Sequence, residues 1–78
     1  MNRSLPRHRT SDPDAWIDLV FSAKAAQGGV VRRAIGRVAT EVGHDRFIAE
    51  VHRRGFHLLM TENQYIVVCN TGPVRMIF

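Results

Sequence analysis

The chain has 78 residues, with 11 lysines and arginines against 7 aspartates and glutamates, a formal net charge of +4 and a pI near 10.6. This length makes a single domain that buries only about 60% of its unfolded surface, so we expect oligomerisation to supplement a small core. One cysteine excludes an internal disulfide framework, and no apolar run reaches the roughly 18 residues that a membrane span requires.

Residues 1–10, MNRSLPRHRT, carry three arginines but no hydrophobic periodicity. Such a composition is typical of a disordered basic tail. Charged residues from Asp14 to Lys24 interrupt the apolar run that follows, so the beginning of the sequence does not resemble a signal peptide. We therefore expect a cytoplasmic protein with a disordered tail, residues 1–10, and one α+β domain, residues 11–78.

Residues 11–14, Ser-Asp-Pro-Asp, form a strong helix start. Serine or aspartate caps the free amides, Pro13 suits the first helical position, and Asp14 interacts favourably with the positive end of the helix dipole. We predict a helix that runs to about Gln27 and is ended by the glycine pair that follows. Its apolar residues lie on nearly all sides, which places it in the core or partly in an interface.

The stretch Val30-Val31-Arg32-Arg33 allows two interpretations. It is either the beginning of a second helix, in register with Ile35, or a short strand after the glycine pair, as β-branched residues prefer. We favour a helix that starts between Val30 and Ala34, and the short strand stays open.

Residues 34–55 predict two short amphipathic helices separated at Gly43. In the first helix, apolar residues recur with the spacing of one helical face, at Ile35, Val38, Ala39 and Val42. In the second helix, we expect the inward face to be Phe47, Ile48 and Val51, and the outward face to be Arg46, Ala49, Glu50 and Arg53. Glycine closes the first helix, and Asp45 is expected to cap the second.

The last third of the chain predicts β-structure. Residues 56–61 and 64–70 form two extended runs around a turn at Glu62-Asn63, and pairing them sets Met60 against Tyr65 and Leu58 against Val67. Residues 74–78 are predicted as a third strand, because an isolated hairpin is marginal in water.

The solvated face of an antiparallel sheet is usually polar, but the second face of this sheet is not. It carries the apolar residues Leu59, Ile66 and Val68. Either the terminal strand and another element cover this face, or a second copy of the chain does. We predict a homodimer with these residues in its interface.

The run Val38-Ala39-x-x-Val42-Gly43, followed by an amphipathic helix, resembles the core pattern of helix-turn-helix proteins, over about a quarter of the chain. With the hairpin that follows, it resembles a winged-helix domain. The fold class is then α+β, with two or three N-terminal helices packed on a small C-terminal antiparallel sheet of two or three strands. The sequence departs from the usual motif at His44-Asp45, where a serine or threonine cap is common, and at the bulky Phe47.

This resemblance and the local charge point together to double-stranded DNA as a partner. The candidate nucleic-acid-binding residues are arginines, which suit bidentate phosphate contacts: Arg32, Arg33, Arg37, Arg46, Arg53 and Arg54. Glu50 lies among them and would repel phosphates unless it accepts a hydrogen bond from cytosine. The turn Thr61-Glu62-Asn63-Gln64 lacks the basic tip that a winged helix usually lays along the phosphate backbone.

Other chemistry has little support in the sequence. No two of His44, His52, His57 and Cys69 have the spacing of a zinc site, so we expect no metal, and Cys69 fits a buried apolar position. Neither a phosphate-binding loop nor a nucleophile motif is present, so we expect no enzymatic activity and no cofactor. The predicted function is a small dimeric DNA-binding transcription regulator. The alternative is an α+β interaction or ligand-binding module that dimerises through its sheet without binding DNA.

Overall fold

The computed structural model describes residues 12–23 and 26–78. The order of elements is α1 (Pro13–Ser22), β1 (Val30–Ala34), α2 (Ile35–Glu41), α3 (His44–Arg53), β2 (His57–Met60) and β3 (Gln64–Val68). The predicted basic tail, residues 1–10, lies outside the described residues.

Helix α1 begins as its sequence predicts but ends earlier. The Asp12 side chain accepts a hydrogen bond from the Asp14 amide at 2.9 Å, and Pro13 occupies the first turn. The predicted end near Gln27 is wrong, because Ala23 already has an extended backbone, with ψ of 152°. Trp16 and Phe21 are among the buried residues, whereas Leu19 is 69% exposed, so the helix buries one face only.

Residues 30–34 form strand β1, which corrects the favoured interpretation of a helix start in this region. The strand pairs antiparallel with β3, in a register that sets Val31 opposite Val67. Gly28, with a φ of 89°, and Gly29 extend the pairing through hydrogen bonds with Cys69. The hydrogen-bonded pairing with β3 outweighs the local helical pattern of these residues. Because β3 lies far along the chain, the local pattern does not reveal this pairing.

Helices α2 and α3 are separated at Gly43, as predicted. Its φ of 85° belongs to the left-handed region, which favours glycine, and its amide donates to the Val38 carbonyl at 2.9 Å. Asp45 is not the cap of α3, because the helix already begins at His44. The predicted inward residues of α3 are confirmed for Phe47 and Val51, but Ile48 is 44% exposed, so that prediction is wrong.

The sheet has three antiparallel strands in the order β1-β3-β2. The predicted pairs Met60 with Tyr65 and Leu58 with Val67 are confirmed. The predicted third strand at residues 74–78 is wrong, since these residues belong to no strand and β1 takes the place beside β3. The fold is therefore α+β, but its sheet is not wholly C-terminal, because β1 lies between α1 and α2.

The centre of the core is Phe47, whose side chain is completely buried. Its ring centroid lies 6.5 Å from that of Trp16, 6.2 Å from that of Phe21 and 5.2 Å from that of Tyr65. One side chain of α3 thus touches both α1 and the central strand. These contacts determine which face of α3 turns away from the core.

We expect the substitution Phe47→Ala to lower the free energy of unfolding by about 3–5 kcal/mol, because it removes a buried ring and leaves a cavity between three elements. Denaturant unfolding monitored by circular dichroism measures this change. The adjacent variant Ile48→Ala is the control and should cost far less, since Ile48 lies at the surface. Equal losses for both variants would contradict the central role of Phe47.

Candidate nucleic-acid interface

The outer face of α3 consists of Arg46, Ala49 and Arg53, all of which are exposed. They lie on the side of the helix opposite Phe47 and Val51, which are buried against the sheet and α1. Burial of one side of α3 therefore positions two arginines two turns apart, with a small residue between them.

Arg46 forms an ion pair with Asp14 in the first turn of α1. The Arg46 side chain is about half exposed and that of Asp14 is 69% exposed, and exposed ion pairs contribute only about 0–1 kcal/mol. The pair therefore orients the Arg46 guanidinium without removing it from solvent. It also places a negative charge at one end of the outer face.

Arg53 and Arg54 meet on the carboxylate of Glu50. Arg53 donates through Nη2 at 2.7 Å and through Nε at 3.2 Å, and Arg54 donates through Nε at 2.6 Å. The Arg53 hydrogen bonds, followed by that of Arg54, hold the pKa of Glu50 below its ordinary value of 4.5, while partial burial acts in the opposite direction. Glu50 in turn raises the pKa of Arg53.

The two arginines differ in how much solvent they meet. The Arg54 guanidinium carbon lies 4.6 Å from the centre of the Phe21 ring, an arrangement that adds a cation–π contact, and its side chain is half-buried. The Arg53 side chain remains 67% exposed. Arg54 therefore joins α3 to α1, whereas Arg53 is accessible to a partner.

Arg37 lies on α2 and approaches Glu41, with 3.0 Å between its Nε and the carboxylate Oε2. The side chain of Glu41 is completely buried, although the sequence pattern placed it outside the apolar stripe. Glu41 lies three residues after Val38, on the same side of the helix, so helix geometry carries it into the core. The Arg37 side chain stays about half exposed.

Arg32 and Arg33 lie on β1, where successive side chains point to opposite faces of the sheet. Arg32 stands opposite Ile66, on the face that turns away from the helices. Arg33 is partly buried, and its Nη1 donates to the Arg32 carbonyl at 2.6 Å. The six predicted arginines therefore do not share one surface, because Arg32 is separated from α3 by the sheet.

The predicted dimer residues Leu59, Ile66 and Val68 share the outer sheet face with Val30. Leu59 and Val30 are exposed, and the other two are half-buried. The face is thus apolar and open to solvent over the described part of the chain, with Arg32 beside it.

Sequence reasoning did not find an open groove of about 430 Å³ between α3 and β2. We call it the edge groove, and its lining is mainly apolar, with Ile48, Val51, His52, Phe56, Leu58 and Leu59 contributing. The assignment of Ile48 to the core hid this groove, because Ile48 is one of its lining residues.

The remaining candidate ligands are accounted for by packing. Cys69 is buried as predicted, and burial raises the pKa of its thiol. The ring of His44 meets the Tyr65 hydroxyl at 3.0 Å from Nδ1. Within residues 12–23 and 26–78, no three histidine, cysteine or acidic side chains gather as a metal site would require, and no helix has the length and apolarity to cross a bilayer.

Comparison of the chain with protein-family models, with curated proteins and with solved structures finds no match.

The Glu50 cluster predicts a specific dependence of stability on pH. Because the pKa of Glu50 is lower in the folded protein, ionised Glu50 stabilises the fold above pH 4.5, and this contribution disappears as pH falls through the lowered value. We expect Glu50→Gln to be less stable than the unmodified chain at pH 7 and to lose less stability on acidification. Urea unfolding at pH 7, 4.5 and 3 tests this.

The control is Glu62→Gln, at an exposed carboxylate on the turn between β2 and β3. It should follow the unmodified chain at all three pH values. Parallel pH curves for Glu50→Gln and the unmodified chain would exclude the arginine cluster as a source of acid sensitivity.

Proposed function

We propose that this chain is a small cytoplasmic DNA-binding regulator of the winged-helix-like type, which acts as a homodimer and reads duplex DNA with α3. The observation that carries the proposal is the exposed pair Arg46 and Arg53 on the outer face of a helix that follows a tight glycine turn.

The order helix, strand, helix, helix, strand, strand supports the proposal, because it is the order of a winged-helix domain element by element. In that class the second helix of the helix-turn-helix lies in the major groove. Here this position belongs to α3, and the hairpin β2–β3 occupies the position of the wing.

The dimensions of α3 suit a major groove. An α-helix with its side chains is about 10–12 Å across, and the groove is about 12 Å wide; the ten residues of α3 span about 15 Å along the axis. Arg46 and Arg53 stand about 10 Å apart along the helix axis, and Ala49 between them leaves room for the bases to approach. Either guanidinium is able to donate two hydrogen bonds to guanine or to a phosphate.

The charges of the helix favour DNA more than the sequence alone indicates. The sequence suggests that Glu50 would repel phosphates. In the structure its carboxylate is paired with both Arg53 and Arg54, so the three side chains together carry a net positive charge. Arg46 leaves its exposed pair with Asp14 at little cost when a phosphate replaces the carboxylate. In this proposal Arg37 and Arg33 add phosphate contacts beside α3, and Arg32 contributes only through long-range attraction.

The edge groove favours a second candidate function, an interaction module that binds another polypeptide and not DNA. Its apolar lining beside α3 has the chemistry of a protein-binding surface. A band shift with random-sequence duplex at low and at moderate salt separates the two candidates, because binding through arginines weakens steeply as salt rises.

For the DNA-binding function, we expect the double variant Arg46→Ala, Arg53→Ala to weaken binding to duplex DNA. The slope of log affinity against log salt should become shallower by about 2, since roughly 0.9 counterion is released for each phosphate contact. The matched control is Arg46→Lys, Arg53→Lys, which keeps the charge and most of the salt dependence but loses bidentate contacts. Unchanged binding by the alanine variant would remove α3 from the interface.

We also expect Asp14→Asn to raise the affinity for duplex DNA up to about fivefold, because it releases Arg46 from an exposed ion pair. Asp12 retains the cap of α1, so the helix should remain folded, and circular dichroism checks this. Titration at two salt concentrations measures the effect. An affinity that falls or stays constant would show that Asp14 does not compete with DNA for Arg46.

A further inference from the structure

We propose that the edge groove is the docking site for residues 74–78 of a second copy of this chain, so that two copies exchange these segments. The inference rests on the homodimer of the proposed function and assigns it a contact. It does not depend on DNA binding, and it uses a surface different from the outer sheet face of Leu59, Ile66 and Val68.

The groove follows the free edge of β2. Leu58 and Leu59 both line it, and as consecutive strand residues they point to opposite faces of the sheet. Ile48 and Val51 of α3 form the wall on the helical side. A surface that touches both faces of one strand and is bounded by a helix accommodates an extended chain lying beside that strand.

The hydrogen-bonding groups of this edge can be assigned from the hairpin. The Thr61 amide donates to the Gln64 carbonyl at 2.8 Å, so this pair bonds inward. In an antiparallel ladder, hydrogen-bonded residue pairs alternate with pairs that are not hydrogen-bonded to each other. Counting back from Thr61, the backbone N–H and C=O groups of Leu58 and Met60 therefore point away from β3. No proline or lysine protects this edge, which makes it a template for another strand.

Residues 74–78, Val-Arg-Met-Ile-Phe, have the properties of the missing strand. They belong to no helix or strand, and the side chains of Met76 and Phe78 are 82% and 107% exposed. Five extended residues span about 17 Å, enough to cover the four residues of β2, which span about 13 Å. One chain thus carries both an unpaired apolar segment and an unpaired strand edge with an apolar lining.

The path of the chain favours a second copy over self-docking. His57 Nε2 lies 2.6 Å from the Gly72 carbonyl, so the segment leaves the domain at the first residue of β2. From there it could pair with its own β2 only in the parallel orientation, which is slightly weaker per residue. The segment of a second copy is free to approach antiparallel.

The position of Val74 makes the exchange reciprocal. This residue already lines the edge groove of its own domain, whereas the exposed residues Met76, Ile77 and Phe78 do not line it. Two copies that face each other at this point place each segment in the groove of the other, which closes a two-fold dimer and pairs the β2 edge of each copy. The outer face of α3 remains open, because the groove lies on the Ile48 side of the helix.

Sedimentation equilibrium of the full chain from about 1 to 200 µM tests the proposal. The unmodified chain should dimerise. Met60→Pro removes an edge donor without breaking a β2–β3 bond, and Met76→Glu places a charge on the exchanged segment. Each substitution should weaken dimerisation about tenfold or more. Leu19→Glu, at an equally exposed apolar site on α1, is the control and should have no effect.

Other results would overturn the proposal. A monomer at all concentrations excludes exchange, and protection of the Leu58 and Met60 amides from hydrogen exchange in that monomer would assign the groove to the chain's own segment. A dimer that persists in both variants but is lost in Val30→Glu is held by the outer sheet face, so the homodimer stands and the exchange does not. Band-shift assays of DNA binding with the same variants test the role of α3 separately.

Discussion

The packing of one side chain, Phe47, determines how the rest of this small protein is arranged. Its ring contacts aromatic rings of α1 and of the central strand, so three elements are held at one point. Because Phe47 and Val51 must face this core, the rotation of α3 about its axis is fixed. The arginines of the outer face are therefore positioned by an apolar contact on the other side of the helix, and the edge groove opens where that contact ends.

The charges on α2 and α3 are organised by carboxylates. Each of the four arginines on or directly after these helices has an acidic neighbour: Asp14 for Arg46, Glu50 for Arg53 and Arg54, and Glu41 for Arg37. The net charge of the sequence therefore overstates the positive potential of this surface. Among these carboxylates only that of Asp14 is largely exposed, whereas those of Glu41 and Glu50 are buried or partly buried beside their arginines.

The features that could be predicted from the sequence are those set by neighbouring residues. Gly43 identified the turn between α2 and α3, and pairing the two extended runs across the turn at Glu62-Asn63 predicted the register of the hairpin. The errors concern contacts between distant residues. Val30–Ala34 is a strand only because β3 pairs with it, and residues 74–78 are left out of the sheet for the same reason. In helices of seven and ten residues, the apolar pattern fixed the buried face only to within one residue, so Ile48 was placed inside and Glu41 was not. The error at Ile48 also hid the edge groove.

The pairing of β1 with β3 has a consequence for how this chain is made. Even the closest partners in the register, Ala34 and Gln64, are about thirty positions apart, so closing this contact costs more chain entropy than forming the hairpin. During synthesis on a ribosome, β1 must wait for β3 to emerge, and until then its adjacent valines, Val30 and Val31, are available to other polypeptides. The nascent chain is therefore most vulnerable to aggregation after β1 has emerged from the ribosome and before β3 has emerged.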